Sequence, residues 1–376
     1  MKLSSLKALR YRSLRDETIH FGSLNLFIGT NASGKSTVLD ALRFLHDAMQ
    51  DRDFRPAMIS HGGILNLAWK GEDARTIELL TRFEDQNKTY EWRVQLTKEP
   101  YEFSVREDLS EVHTASPPTQ LLAADRGRGW WWSGQRGERV PLAQEATTCA
   151  LAAAAADESF PARGLAEFVS RWGFFDPNPF LLRRGWSGLD PSRFDPFGRN
   201  LAERLFAIKQ SSPEIFDQIV SATKSVLGLP LEIEPRESDN GFYFVQSESG
   251  LQHTVHQMGV SSGTLRMLAL MTALFGESGT NLIGIEEPEN NVHPAALTSF
   301  AEYLLKVRER VQILVTTHSS LLLDFLNEPA DVSVVQHTDS QGTRVAREAN
   351  PDAVREALKE SGFGLGEFYE TKGFGG

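Results

Sequence analysis

The sequence predicts an α/β fold interrupted by a mainly helical insertion. A glycine-rich string of the form G-x-x-x-x-G-K-S, from Gly29 to Ser36, stands between an apolar strand and an amphipathic helix. Two more apolar runs, 281–285 and 311–315, alternate with helical patterns in the last third, as core strands of an α/β sheet do. Between these parts, from about residue 108 to 250, the composition changes.

The elements follow in order. Residues 24–28 form a short apolar run that stops at Gly29, as a buried strand would. After the glycine-rich loop, Val38, Leu42, Leu45 and Met49 recur at helical spacing, with Ala41 and Ala48 on the same side. Stretches 76–83, 90–97 and 101–105 read as strands separated by polar turns. Residues 125–139 are rich in glycine and arginine and carry Trp130, Trp131 and Trp132. They read as a flexible loop whose tryptophans either pack or stack on bases, packing being favoured. Residues 144–157 hold an alanine-rich helix candidate. The proline-punctuated stretches 176–179 and 190–198 read as loops, and 201–208 and 214–227 as amphipathic helices. A helix is expected at 351–360, before a glycine-rich end. The expected division is 1–110 and 251–376 as two parts of one head, with 111–250 inserted.

Bulk properties narrow the class. The chain of 376 residues suffices for one large domain with an elaborate insertion, or for two domains. Its single cysteine, Cys149, excludes an internal disulfide and fits a reducing cytoplasm. Residues 1–7 lack the apolar core of a secretory signal, and nothing later approaches the roughly 20 apolar residues of a membrane span. A cytoplasmic protein without a membrane partner is therefore expected. The formal charge of −11 argues against a generally basic, DNA-coating surface but leaves room for a local basic groove.

Four clusters carry chemistry. In the loop Gly29, Thr30, Asn31, Ala32, Ser33, Gly34, the glycines let backbone N–H groups surround a phosphate at the positive end of the following helix. Lys35 can reach the β- and γ-phosphates of ATP, Ser36 can place its hydroxyl on Mg²⁺, and Thr37, next on the helix start, is a further nucleotide-binding candidate. At the end of the run 281–285, Glu286 is the candidate metal carboxylate and Glu287 the candidate base for the attacking water. His318, one strand further on, can donate to a γ-phosphate oxygen. Ser261 and Gly263 open a helix after small residues, which makes a second phosphate-binding surface. One nucleotide hardly needs two such surfaces, whereas a dimer does if each protomer closes the other's site.

The order of these elements resembles the ABC-type ATPase heads of the RecF and SMC families, and most closely the stand-alone RecF/OLD-like AAA-family ATPases of bacteria. The run Leu9-Arg10-Tyr11-Arg12-Ser13-Leu14 and the run from Glu286 through Asn290, Asn291 and His293 to Pro294 carry the likeness, which covers about 1–110 and 225–330. The resemblance implies a mixed central sheet with an antiparallel β-subdomain. It also implies that Ser261 and Gly263 contact ATP held by a partner chain, that His293 lies in a loop crossing the dimer interface, and that His318 is a switch histidine. The chain departs from the family pattern at Glu286, usually aspartate, and at Thr264, often glutamine. The glutamine that usually follows the first helix has no counterpart, and His61-Gly62-Gly63 stands nearby instead.

Three functional classes remain open at this stage. The first is an ATP-hydrolysing dimeric switch in DNA repair, recombination or defence against foreign DNA. It would work with a separate effector such as a nuclease, and DNA is a candidate partner. The others are a transporter ATPase subunit and an ATP-binding scaffold without turnover. The fifty or so residues after His318 are too few for a nuclease domain, so cleavage is expected to come from another protein.

Overall fold

The computed structural model of the protein describes residues 1–72, 75–100, 102–184, 190, 192–248, 250, 252–277 and 279–371. Tyr101, Pro191 and the glycine-rich end, all part of the expectations above, lie outside the described residues. The chain divides into two compact units, Met1–Trp172 with Asp331–Ala349, and Gly173–Ala330 with Asn350–Phe374.

The first unit opens with the hairpin β1 (Lys2–Tyr11) and β2 (Leu14–His20), then β3 (Leu24–Ile28). All of β3 is buried, which is why its sequence is a continuous apolar run. Helix α1 (Lys35–Asp51) buries the predicted stripe Val38, Leu42, Leu45 and Met49, together with Ala41 and Ala48. Short helices α2 (Phe54–Ser60) and α3 (Ile64–Leu67) follow. An antiparallel meander comes next, each strand pairing with its successor. It comprises β4 (Thr76–Asp85), β5 (Lys88–Lys98), β6 (Phe103–Val112), β7 (Thr119–Asp125), β8 (Arg128–Ser133) and β9 (Glu138–Ala143). Helices α4 (Ala150–Ala154) and α5 (Arg163–Ser170) complete this part.

One expectation needs correction. Residues 125–139 are not a flexible loop but two hairpins. Asp125 pairs with Arg128 across Arg126 and Gly127, both at positive φ (51° and 72°), the backbone of a two-residue turn that matches strand twist. The tryptophans then alternate along β8: Trp131 is buried, while Trp130 and Trp132 are half-buried and Arg139 lies over the Trp130 ring. The alanine-rich helix expected within 144–157 is there, as Ala150–Ala154. Its start is fixed by the buried carboxylate of Glu107, which accepts from the N–H groups of Ala150 and Leu151.

The second unit begins at β10 (Trp172–Phe175), α6 (Pro179–Arg184), α7 (Leu201–Ser211) and α8 (Pro213–Leu227). A small antiparallel sheet follows, from β11 (Leu231–Ser238), β12 (Gly241–Glu248) and β13 (Val255–His256). Then come α9 (Ser262–Phe275), β14 (Leu282–Glu286), α10 (Pro294–Val307), β15 (Gln312–Thr317) and α11 (Ser320–Leu326). Strands run in the order β10-β14-β15, with β14 and β15 parallel, so both apolar runs end on one edge of the sheet.

The chain returns to the first unit with β16 (Val332–Thr338) and β17 (Gly342–Arg347), and ends in the second with α12 (Pro351–Ser361) and α13 (Leu365–Thr371). Strand β16 lies parallel to β3 and antiparallel to β17, and β17 is antiparallel to β2, so the first unit's sheet is mixed.

Candidate functional site

The glycine-rich loop turns sharply from β3 into α1. Gly34 sits at φ 102°, and a Cβ there would lie 2.1 Å from Thr343 Oγ1. A Cβ on Gly29 would meet the Val335 carbonyl oxygen at 2.2 Å, so β16 packs against the loop's first residue too closely for any side chain. Ala32 also takes a left-handed conformation, φ 63°. Hydroxyls brace the loop from outside. Thr343 Oγ1 lies 2.8 Å from the Ser33 carbonyl and from Ser13 Oγ, which is 3.1 Å from Thr37 Oγ1.

Lys35 is 4% exposed, and its ammonium donates to the carbonyls of Gly29 and Thr30, both at 3.0 Å, so the cation is held across the loop. Asn31, Ala32 and Ser36 are exposed, whereas Ser33 is buried with an unpartnered hydroxyl. No side-chain hydrogen bond caps the first turn of α1.

Behind the loop, α1 is fastened to its surroundings by charge. Asp40 accepts from Tyr11 Oη at 2.7 Å, pairs with Arg12 Nε, and faces His61 Nδ1 at 2.8 Å. The other His61 nitrogen faces Asp47 at 3.0 Å. Burial pushes Asp40 up, yet the hydrogen bonds and charges of His61, Tyr11 and Arg12 outweigh it and hold this carboxyl below its usual range. Burial likewise pulls His61 down, and its two carboxylates overcome that and raise it. His61 thus binds back onto the phosphate-loop helix.

In the second unit, β14 delivers Glu286 and Glu287, both half-buried, at the chain's exit from the sheet. Glu287 has φ 41°, a strained value for a residue with a side chain. Its N–H donates to the Thr316 carbonyl at 2.9 Å, and its Oε2 accepts from Asn290 Nδ2 at 2.9 Å. Arg266, 2% exposed on α9, clamps this corner. Its guanidinium donates to the carbonyls of Glu286 and Glu287, each at 2.9 Å, and to the Pro177 carbonyl. His318 follows β15, with Nδ1 3.1 Å from Glu289 Oε1 and 3.9 Å from Glu287 Oε1.

Ser261 is exposed and caps α9, accepting from the Thr264 N–H at 3.1 Å. Arg183 on α6 donates to the Val260 carbonyl and to Ser262 Oγ, at 3.1 and 2.9 Å. A Cβ on Gly263 would come 2.9 Å from the Asn291 carbonyl oxygen, so the α9 start abuts the loop of residues 287–293. His293 is exposed and caps α10 through Nδ1. Ser261, Gly263, Asn291 and His293 line one open cleft of this unit.

A family model described as "AAA domain, putative AbiEii toxin, Type IV TA system" matches residues 24–324, well over half of the chain. The chain belongs to this AAA-domain family. No curated protein matches it. Among solved structures, the chain is similar to "Crystal structure of the SmcHead bound to the C-winged helix domain of ScpA", at 12% identity and TM-score 0.61, covering 92% of this chain and 98% of that one. It is similar also to an Smc head domain with an extended coiled coil bound to the C-terminal domain of ScpA, derived from Pyrococcus furiosus. That likeness has 11% identity and TM-score 0.59, covering 96% and 99%. At these identities the likeness shows the fold alone: this AAA-domain protein has an α/β fold similar to that of SMC head domains.

The structure thus brings Glu286, Glu287 and His318 together in one unit, with Ser261 and Gly263 at a cleft of the same unit. It brings Gly29 through Thr37 together in the other. Sequence reasoning missed Arg266 and Arg183. Arg266 leaves one signal, a single charge within the apolar run from Leu265 to Phe275, and buried charges come paired.

Proposed function

We propose that this AAA-domain protein binds and hydrolyses ATP with Mg²⁺, and works as an ATP-gated dimeric switch for a separate effector protein. The observation that carries the reading is the loop from Gly29 to Gly34, closed around its own lysine at the uncapped start of α1. Such a loop offers N–H groups and one fixed cation to an anionic phosphate chain. Among the described residues no group of three or more His, Cys, Asp or Glu could hold a metal alone. That fits Mg²⁺, which is held through substrate phosphates with one or two protein ligands; Ser36 of one unit and Glu286 of the other are the residues we propose for that role. The metal would neutralise charge developing on the phosphates. Glu287, anchored through Oε2 by Asn290, orients and deprotonates the attacking water with Oε1, and Lys35 holds the β- and γ-phosphates.

The partner assignments rest on likeness. Two structures similar to this one are heads bound to part of another protein, ScpA, which supports a head that recruits an effector. The family's description as a putative toxin of a type IV TA system supports defence over repair or recombination, with a nuclease or DNA as candidate partners. No helix among the described residues is long and apolar enough to cross a membrane; the run from Glu289 to Pro294 and the interrupted insertion disfavour a transporter ATPase subunit. We place the protein in the cytoplasm.

Calorimetric titration with Mg²⁺ and ATP tests the binding step. Lys35→Ala is expected to abolish binding, and unchanged affinity would remove the loop from the site. Glu287→Gln is expected to bind ATP normally and turn it over at least about a hundredfold more slowly, since an amide cannot accept the proton. Full turnover in that variant would move the base elsewhere.

A further inference from the structure

Neither the metal role nor the base role falls on Glu289, two residues beyond Glu287. Its side chain is nonetheless only 8% exposed. One oxygen, Oε1, accepts from Thr317 Oγ1 at 2.8 Å and from the backbone N–H of His318 at 2.7 Å, and the ring Nδ1 of His318 lies 3.1 Å from it. The other oxygen, Oε2, is buried without a hydrogen-bond partner. A buried carboxylate with one oxygen unserved is costly, and a backbone N–H alone is served as well by a serine, threonine or asparagine. What an acid adds is a negative charge 3.1 Å from the ring nitrogen, beside the backbone bond, which favours a proton on that nitrogen.

We propose that Glu289 is the positioning residue of His318. It takes the Nδ1–H of the imidazole, leaves Nε2 without the proton, and so keeps the ring from turning onto Glu287. The distances decide between the two acids. Glu287 Oε1 lies 3.9 Å from the same Nδ1, outside hydrogen-bond range, while Glu289 Oε1 is the nearer acid at 3.1 Å. Glu287 Oε1 therefore stays available to water instead of being engaged by the histidine. The inference rests on the ATPase reading for its consequence in turnover, and on the ring geometry alone for the tautomer.

The test has two arms. In the full-length protein, long-range proton–nitrogen correlation of the nine histidine rings is compared with the His318→Ala spectrum, which identifies the His318 signals. The Nδ1–H tautomer is expected in wild type and in Glu289→Gln, whose amide oxygen still accepts. In Glu289→Ala the Nε2–H tautomer is expected to appear. In steady-state hydrolysis, Glu289→Ala is expected to lower kcat about tenfold or more with little change in KM, the scale seen when the partner of a functional histidine is removed. Glu289→Gln should recover most of that loss, and Glu289→Ala should add nothing in the His318→Ala background. An unchanged tautomer in Glu289→Ala overturns the proposal, as does an equal loss of kcat with and without His318. Should wild type fail to hydrolyse ATP, the enzymatic reading falls, and the ring signals still decide this one.

Discussion

Arg266 shows what one side chain does at the acid corner. Three carbonyls converge on its guanidinium, from Pro177, Glu286 and Glu287, with Asp176 Oδ1 at 3.3 Å. Glu287 is held at a strained φ, so the clamp helps keep the candidate base in a conformation the backbone would otherwise leave. Arg266→Ala strands those acceptors in a buried place and is expected to lower stability by about 2–4 kcal/mol, read as a fall in the urea midpoint. Arg266→Lys is expected to recover little, since one ammonium cannot span the same fork of acceptors. A midpoint equal to wild type in Arg266→Ala would make the clamp incidental. The contrast with Glu286, Glu287 and His318 explains what the sequence discloses. Those three are legible because their chemistry and their place at the ends of apolar strands are local. The partners of Arg266 are not local, the Pro177 carbonyl lying 89 residues away along the chain.

At the scale of the element, helix α1 is set by two agreements: an apolar stripe readable in the sequence, and the Asp40–His61–Asp47 link, which is not. The link depends on α2 folding back, and no local pattern announces that. The hairpins around β8 were hidden differently. Arg126-Gly127 is a turn only because both residues adopt positive φ, and glycine next to arginine resembles a loop until its flanking strands are seen to pair. The His61 link has a sign in pH. Its folded value is raised above the ordinary 6.5, so its contribution is complete below that value and is lost as pH rises through the folded value. Asp40, lowered from 3.8, contributes above that value and loses its share as pH falls through its folded value. Stability should therefore fall as pH rises from about 6.5 through the raised folded value, and the fall should be smaller in His61→Ala. Urea midpoints at pH 6 and pH 9 measure it. An equal drop in variant and wild type would mean that His61 carries no linked charge.

For the whole molecule the decisive question is whether the start of α9 serves a nucleotide held by a second copy of the chain. A phosphate loop supplies one helix N-terminus, at α1, and the α9 start at Ser261 to Thr264 is a second one, open at a cleft with Asn291 and His293. In the proposed dimer each α9 start faces the γ-phosphate of the other protomer's ATP. Because Ser261 is also the cap of α9, the useful substitution is one that still caps. Aspartate does so, and sets a negative charge where a γ-phosphate would come. Ser261→Asp is expected to fold, to bind ATP nearly as wild type, and to lose both ATP-stabilised dimers and hydrolysis. Light scattering in a Glu287→Gln background, which retains ATP, follows the dimer. Lys35→Ala is inactive for the opposite reason, through its own loop. When the two inactive proteins are mixed, each heterodimer has one site with both defects and one site with neither. Activity should therefore return, to at most about half of wild type, since only heterodimers close on ATP and each has one intact site of two. Mixing that restores nothing although heterodimers form, or a Ser261→Asp protein that dimerises and hydrolyses normally, would confine the chemistry to a single chain and leave the α9 start as an ordinary capped helix.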